Sequence, residues 1–386
     1  MTELPHPTPL TGPSHHIIPF EGARRLVIFF GAKDLTDEGY NFLQLGRELN
    51  EHRMFLNNGA NEWYQYGVPG FGNSFEATLK TLQSWKAALG VEDICTLGTS
   101  MGAYGAIQYG TALNARILAF SVDAVLQEKH SRSAEYFIGT QPPSCPDLRR
   151  LLSAETPDVT LLVGERDPVD LHAAAQLADA APINVISLIG VDHIVPTHLK
   201  RRSRLGPLLR AFVEGKDIPL QPDKGGALHA KAYVPALFAA HSALEEDDLG
   251  SAVEHAQKAL NAYPYGEAAE SILGQALAKQ GHYSDAITWL TRSLASQPKD
   301  FKLQVLLASA MRKSGGQDRA RQIYENVLFQ QPGFHTAHYG LGLLHLEAGR
   351  VLEAHACFKA GQRCAPQNST YRKRVKSTAK QLRDTA

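Results

Sequence analysis

The sequence predicts a doubly wound, mainly parallel α/β sheet followed by an all-α solenoid of repeats. Three observations predict it. Up to about residue 214, short apolar β-rich runs alternate with helical stretches, which is the pattern of a parallel sheet covered on both faces. Beyond residue 232 almost every segment reads as helix, and a 34-residue period appears. Between them lies "EGKDIPLQPDKGGALH" (214–229), whose Gly, Pro and charged residues read as a linker. The expected organisation is an N-terminal arm over 1–14, an α/β domain over 15–214, a linker over 215–232 and a repeat domain over 233–386.

The opening "MTELPHPTPLTGPSHH" is rich in Pro and His and lacks an apolar centre. It is expected to form a loose arm, and it does not have the pattern of a secretory signal. The predicted strands are "HIIPF", "LVIFFG", "RMFLNN", "DICTLG", "RILAFSV", "VTLLVG" and "NVISLIG". Among the intervening stretches, "DEGYNFLQLGREL" and "SFEATLKTLQSWKAALG" carry apolar residues at helical spacing. The segment from Asp123 to Pro157 is a short insertion between two predicted strands.

In the second half, segments 267–300, 301–334 and 335–368 are each 34 residues long and keep register without a gap. One position aligns Leu273, Leu307 and Leu341, and the next aligns Gly274, Ala308 and Gly342. Ala286, Ala320 and Ala354 are followed four residues later by Leu290, Tyr324 and Phe358, and each unit closes on Pro298, Pro332 or Pro366. A weaker copy covers about 233–266 through Ala240, Ala252, Ala256 and Pro264. Small residues let two antiparallel helices approach, the large residue fills the groove between them, and proline ends the second helix. This half resembles tetratricopeptide repeats, which implies a protein or peptide partner. "YRKRVKSTAKQLRDTA" then reads as a capping helix with a polar outer face.

Composition narrows the function classes. Lys plus Arg and Asp plus Glu are both 39, so the net charge is zero, which argues against nucleic-acid binding by phosphate neutralisation. No apolar run reaches the ~20 residues that span a bilayer. Cys95, Cys145, Cys357 and Cys364 are scattered without a CxxC pair, so neither a zinc cage nor a disulfide framework is expected, and the default setting is cytoplasmic. No GxxxxGK[ST], HExxH or dinucleotide fingerprint is present, so no cofactor and no metal are expected.

The chemistry-bearing stretch is "DICTLGTSMGAYGA". Gly98-Thr99-Ser100-Met101-Gly102 matches G-x-S-x-G, with a strand before it and a helix after it, as a nucleophile elbow requires. Glycines on both flanks relieve the crowding of that turn, and Gly105 allows close helix packing. A serine hydroxyl needs a base, and the base an orienting acid. "VTLLVGERDPVD" supplies Asp167 just past a strand, with Asp170 as the alternative. "NVISLIGVDHIVPTHL" supplies His193 past the next strand, with His198 as the alternative. As an Asp before Pro, Asp167 also reads as a helix cap.

On "GTSMG", "GERDP" and "GVDH", residues 15–214 resemble the α/β-hydrolase superfamily. The resemblance implies Ser100 as nucleophile, His193 as general base then acid, and Asp167 as its orienting carboxylate. It also implies an oxyanion hole made by the Met101 amide and an amide at Gly31 or Ala32. Trp63 and Tyr64, in the aromatic loop "GANEWYQYGVPGFGNSF", are candidates for lining a substrate pocket. Together with "LVIFFGAKD" and "GTSMGAYGA", that loop resembles α/β hydrolases linked to bacterial surface-glycan and adhesin modification. The reading is therefore a serine esterase working through an acyl-enzyme on a small acyl ester or an acylated glycan, with repeats that dock a protein or a second copy of the chain. An acyltransferase, and a non-catalytic hydrolase-like adaptor acting through its repeats, are the alternatives.

Overall fold

The computed structural model describes residues 7–35, 39–155, 157–220 and 224–384. The chain divides into two compact units, residues 1–238 and 239–386.

Among the described residues, the first unit holds eight strands: β1 (Thr11–Gly12), β2 (His15–Ile18), β3 (Arg25–Phe30), β4 (His52–Leu56), β5 (Asp93–Thr99), β6 (Arg116–Phe120), β7 (Val159–Gly164) and β8 (Asn184–Leu188). They lie in the order β1-β2-β4-β3-β5-β6-β7-β8. All seven predicted strands are present. β1 and β2 pair antiparallel at one edge, and every pair from β4 to β8 is parallel. The near-continuous apolar runs are explained by burial on both faces: Leu26 to Phe30 and Met54 to Leu56 are all inaccessible.

Helices cover the faces: α1 (Leu43–Gly46), α2 (Phe75–Leu89), α3 (Met101–Ala112), α4 (Arg132–Tyr136), α5 (Leu148–Glu155), α6 (Pro168–Ala180), α7 (Val195–Arg201) and α8 (Leu205–Glu214). One core layer joins Phe29, Phe55, Leu97, Phe120 and Leu162 to Leu199, Leu208 and Phe212 of α7 and α8. α2 is bounded as its sequence predicts, with Ser74 accepting from the Ala77 amide and Gly90 left-handed at the end.

Two expectations are corrected. The arm is not loose throughout: Thr11 and Gly12 pair with His16 and His15, and the Ile17 amide donates to the Leu10 carbonyl. Only residues 1–6 of it lie outside the described residues. The stretch "DEGYNFLQLGREL" is not one long helix. Its helical part is Leu43–Gly46, because Phe42 adopts φ 62° and the Asn41 side chain is bonded away from the helix, to Ala32.

β3 is the switch point of the sheet. The chain runs from β3 to β4 on one side, while β5 pairs on the other. The crevice beyond the carboxyl ends of β3 and β5 is where such sheets bind ligands.

The segment expected to be a linker is partly structured. Leu188 and Lys224 form an antiparallel bridge, and the Gly225 amide donates to the Ser187 carbonyl. The boundary between compact units falls at Phe238/Ala239, six residues beyond the expected 232/233 and inside α9 (Tyr233–Glu245).

The second unit continues with α10 (Leu249–Ala262), α11 (Glu267–Gln280), α12 (Tyr283–Ser296), α13 (Phe301–Lys313), α14 (Gln317–Gln330), α15 (His335–Glu347), α16 (Val351–Cys364) and α17 (Ser369–Asp384). The repeat pattern has a direct steric basis. A Cβ on Gly274 would stand 2.8 Å from Leu290 Cγ, and one on Gly342 would stand 2.6 Å from Phe358 Cε1. Ala286, Ala320 and Ala354 are fully buried. Pro298, Pro332 and Pro366 each stand two residues past the end of α12, α14 or α16. α17 closes the stack with Tyr371 buried against Gly361.

Candidate active site

Ser100 sits between β5 and α3 with φ 55° and ψ −122°, a conformation that non-glycine residues avoid. Its amide donates to the Phe120 carbonyl at 2.9 Å, and its side chain does not cap α3. The flanking glycines are required by contact. A Cβ on Gly98 would lie 2.1 Å from the Gly102 carbonyl oxygen, and one on Gly102 would lie 2.3 Å from that of Phe30. Gly105 admits the Tyr64 ring, 2.7 Å from where its Cβ would be. Close packing at Gly102 thus presses the start of α3 against the end of β3.

His193 lies in the loop between β8 and α7. That loop is held to the end of β7: the Arg166 amide donates to the Val191 carbonyl, and a Cβ on Gly164 would meet the same oxygen at 2.3 Å. His193 Nδ1 lies 2.9 Å from Asp170 Oδ2 and 3.1 Å from Oδ1. A carboxylate only accepts, so Nδ1 carries the proton and Nε2 is left as the basic nitrogen.

The carboxylate bonded to His193 is therefore Asp170, which corrects the expectation of Asp167. Asp167 caps α6, accepting from the Asp170 amide at 2.9 Å, and pairs with Arg132. Arg132 also reaches Asp170 Oδ1 at 3.1 Å. Burial alone would raise the Asp170 carboxyl, but His193 and Arg132 overcome it and hold the group below its ordinary range. Burial and the neighbouring Asp170 push Asp167 up. The three ligand-type atoms of Asp167, Asp170 and His193 lie within 4.8 Å of one another, and the cation already paired with both carboxylates is Arg132. His198 lies one turn into α7 and does not take the place of His193.

Ser100 and His193 line one cavity of about 500 Å³, together with Ala32, Asn41, Phe42 and Lys200 among others. That volume suits a small ligand. The expected oxyanion donors are only partly open to a substrate. Met101 is the first residue of α3, so its amide has no acceptor within the helix. The Gly31 amide is spent on the Leu56 carbonyl at 2.8 Å, which removes Gly31 as a donor. The Ala32 amide donates to Asn41 Oδ1 at 2.6 Å.

Trp63 and Tyr64 do not line this cavity. Both have positive φ, at 50° and 59°, which turns the rings inward, and both are buried. The Tyr64 hydroxyl lies 2.9 Å from the Gly31 carbonyl oxygen and 3.2 Å from that of Leu56, bracing the end of β3. The aromatic residues that line the cavity are Tyr40 and Phe42. Sequence reasoning missed Asn41 and Arg132: one lay in a stretch read as helix, the other in the short insertion between two predicted strands.

In the second unit, a separate groove of about 690 Å³ lies along α13 and α15, with Lys302, Arg312, Lys313, Phe334 and Tyr339 in its wall. Arg312 there is paired with Glu347. Among the described residues no helix is long and apolar enough to cross a membrane.

The tetratricopeptide repeat family matches residues 239–301 and 305–369, so the C-terminal part consists of these repeats. No curated protein matches the chain. Similar solved structures include MamA AMB-1, at 21% identity and a TM-score of 0.34 over 39% of this chain and 82% of that one. YrrB, a tetratricopeptide protein described as having an unusual peptide-binding site, shows 18% identity and a TM-score of 0.35 over 46% and 86% of the two chains. A tetratricopeptide repeat protein from Parabacteroides merdae shows 21% identity and a TM-score of 0.35 over 40% and 61%. The repeats imply a role in protein interaction.

Proposed function

We propose that the N-terminal unit is a serine acyl hydrolase and that the repeats bring it to a protein partner. The observation that carries this reading is a strained Ser100 sharing one cavity with His193, whose Nδ1 bonds the buried Asp170. In the proposed reaction Ser100 Oγ attacks an ester carbonyl while His193 Nε2 takes its proton. The alcohol leaves with that proton, and water then releases the acid by the same route. Asp170 holds the ring and stabilises its charged form. A cavity of about 500 Å³ favours a short acyl ester, free or carried on a sugar. Water and an acceptor alcohol differ only in the second step, so transfer uses the same residues. Lys302 and Lys313 in the groove wall, beside an Arg312 already paired with Glu347, suit an acidic segment of the partner.

A second reading is that the front unit is a non-catalytic scaffold for the repeats. It is favoured by the family match, which falls on the repeats alone, and by the engaged amides of Gly31 and Ala32. One experiment separates the two. The full chain is treated with a fluorophosphonate probe beside Ser100→Ala and His193→Ala. Labelling of the wild type alone is expected. A folded wild type that stays unlabelled would leave the scaffold reading.

A further inference from the structure

We propose that Asn41, through its side-chain Nδ2, is the second oxyanion donor of this site. The inference rests on the hydrolase reading above and deepens it. Attack by Ser100 moves the carbonyl π electrons onto oxygen, and that charge needs two fixed donors. The Met101 amide is one. The two backbone amides expected to serve as the other are committed, Gly31 to Leu56 and Ala32 to Asn41.

The Ala32 contact identifies the donor that remains. A backbone N–H can only donate, so the carboxamide atom 2.6 Å from it is the oxygen. With Oδ1 fixed there, the donor end of the same group is Nδ2, which carries two protons. Asn41 lines the cavity that Ser100 and His193 line, and Ala32 lines both that cavity and a smaller one of about 230 Å³ shared with Met101. The backbone around Asn41 is shaped for this placement. Phe42 turns left-handed at φ 62°, so α1 begins only after Asn41, and the side chain reaches back to the end of β3. Ala32 thus acts as the anchor that sets the amide plane, and Asn41 as the group that meets the substrate. In the first step the Oγ–C bond forms as the C=O π bond opens, His193 takes the serine proton, and the oxyanion accepts from Met101 N–H and Asn41 Nδ2–H. Collapse restores the carbonyl and expels the alcohol with the His193 proton.

The competing role for Asn41 is a plug that occupies the Ala32 amide and must leave before substrate binds. The two roles predict opposite signs. Asn41→Ala removes the donor and frees Ala32. Asn41→Asp keeps an acceptor for Ala32 and removes the Nδ2 donor. The full chain, its fold checked by near-ultraviolet circular dichroism, is assayed on p-nitrophenyl acetate and by the rate of fluorophosphonate labelling. The proposal expects kcat to fall roughly a hundredfold or more in Asn41→Asp and by a smaller factor in Asn41→Ala, where the freed Ala32 amide replaces part of the donation, with KM changed by no more than about threefold. Wild-type rates in folded Asn41→Asp, or faster turnover in Asn41→Ala, overturn it while the hydrolase reading stands. A wild type that neither hydrolyses the ester nor labels overturns both.

Discussion

Ser100 carries its conformation against its own chemistry. At φ 55° and ψ −122° a side chain costs about 1–3 kcal/mol, and the neighbouring contacts of Gly98 and Gly102 leave the backbone no other path. Ser100→Gly therefore removes the hydroxyl and the strain together, whereas Ser100→Ala removes only the hydroxyl. Glycine returns part of the gain through a freer unfolded chain, about 0.4–1 kcal/mol. The Gly variant is expected to be more stable than the Ala variant by about 1 kcal/mol, read from urea midpoints at equal m-value. Equal midpoints would show that the turn is unstrained. The serine was legible because a G-x-S-x-G turn has few alternatives after a strand. Its acid was not. In "DPVD" both carboxylates fall in one helical turn, and the choice is made by His193 and Arg132, which approach from distant parts of the chain. Trp63 and Tyr64 misled for a similar reason: composition marks an aromatic loop, but two left-handed residues decide that its rings face the core.

At the scale of elements, α4 and α6 are joined through charge. Arg132 from α4 pairs with Asp167, which caps α6, and with Asp170 of α6, and Asp170 faces the Asp167 carboxylate, Arg132 and His193. Asp123 adds a third buried carboxyl, raised by burial, which accepts from the Ser133 amide of α4 at 2.8 Å. Removing one partner of a buried pair strands the other, at a cost of about 3–5 kcal/mol. Arg132→Ala is expected to lose that much near neutral pH, and the pH dependence carries the sign. In the wild type, Asp170 has a depressed carboxyl, so its contribution is present above the unfolded value of about 3.9 and is lost as pH falls through the lower folded value. Without Arg132 both carboxyls move up, and their burial weighs against folding once they ionise. The deficit of the variant should shrink as pH drops from 7 toward 5, measured by urea denaturation across that range. A deficit that is constant or grows would assign Arg132 a packing role. α1 teaches the complementary lesson. Apolar spacing over "DEGYNFLQLGREL" favours helix, yet one side-chain bond to Ala32 and one left-handed Phe42 restrict it to Leu43–Gly46.

Across the whole molecule, the repeats were the most legible part, because a steric rule written four times averages out local ambiguity. The joint between the units was the least legible. "PDKGGAL" has the composition of a free linker, but the groups that dock it are backbone amides, which every sequence possesses. The Ala227 amide donates to Glu165 Oε1 at 2.8 Å, where Ser187 Oγ also donates at 2.7 Å. A Cβ on Gly225 would stand 1.9 Å from the same oxygen, so glycine there serves close approach to a buried carboxylate. Farther along, the Phe238 ring stacks on His172 of α6 at 3.7 Å, two residues from Asp170. These contacts make residues 224–238 part of the first unit. A chain truncated after Phe238 keeps them, whereas one truncated after residue 223 loses the Ala227–Glu165 and Gly225–Ser187 hydrogen bonds, at about 0.5–1.5 kcal/mol each, and the Phe238 stack as well. The longer fragment is expected to unfold at the higher urea concentration, and the amides of Gly225 and Ala227 to be protected from hydrogen exchange in the full chain. If both fragments unfold together and those amides exchange freely, residues 224–238 are a tether, and the first unit ends with α8.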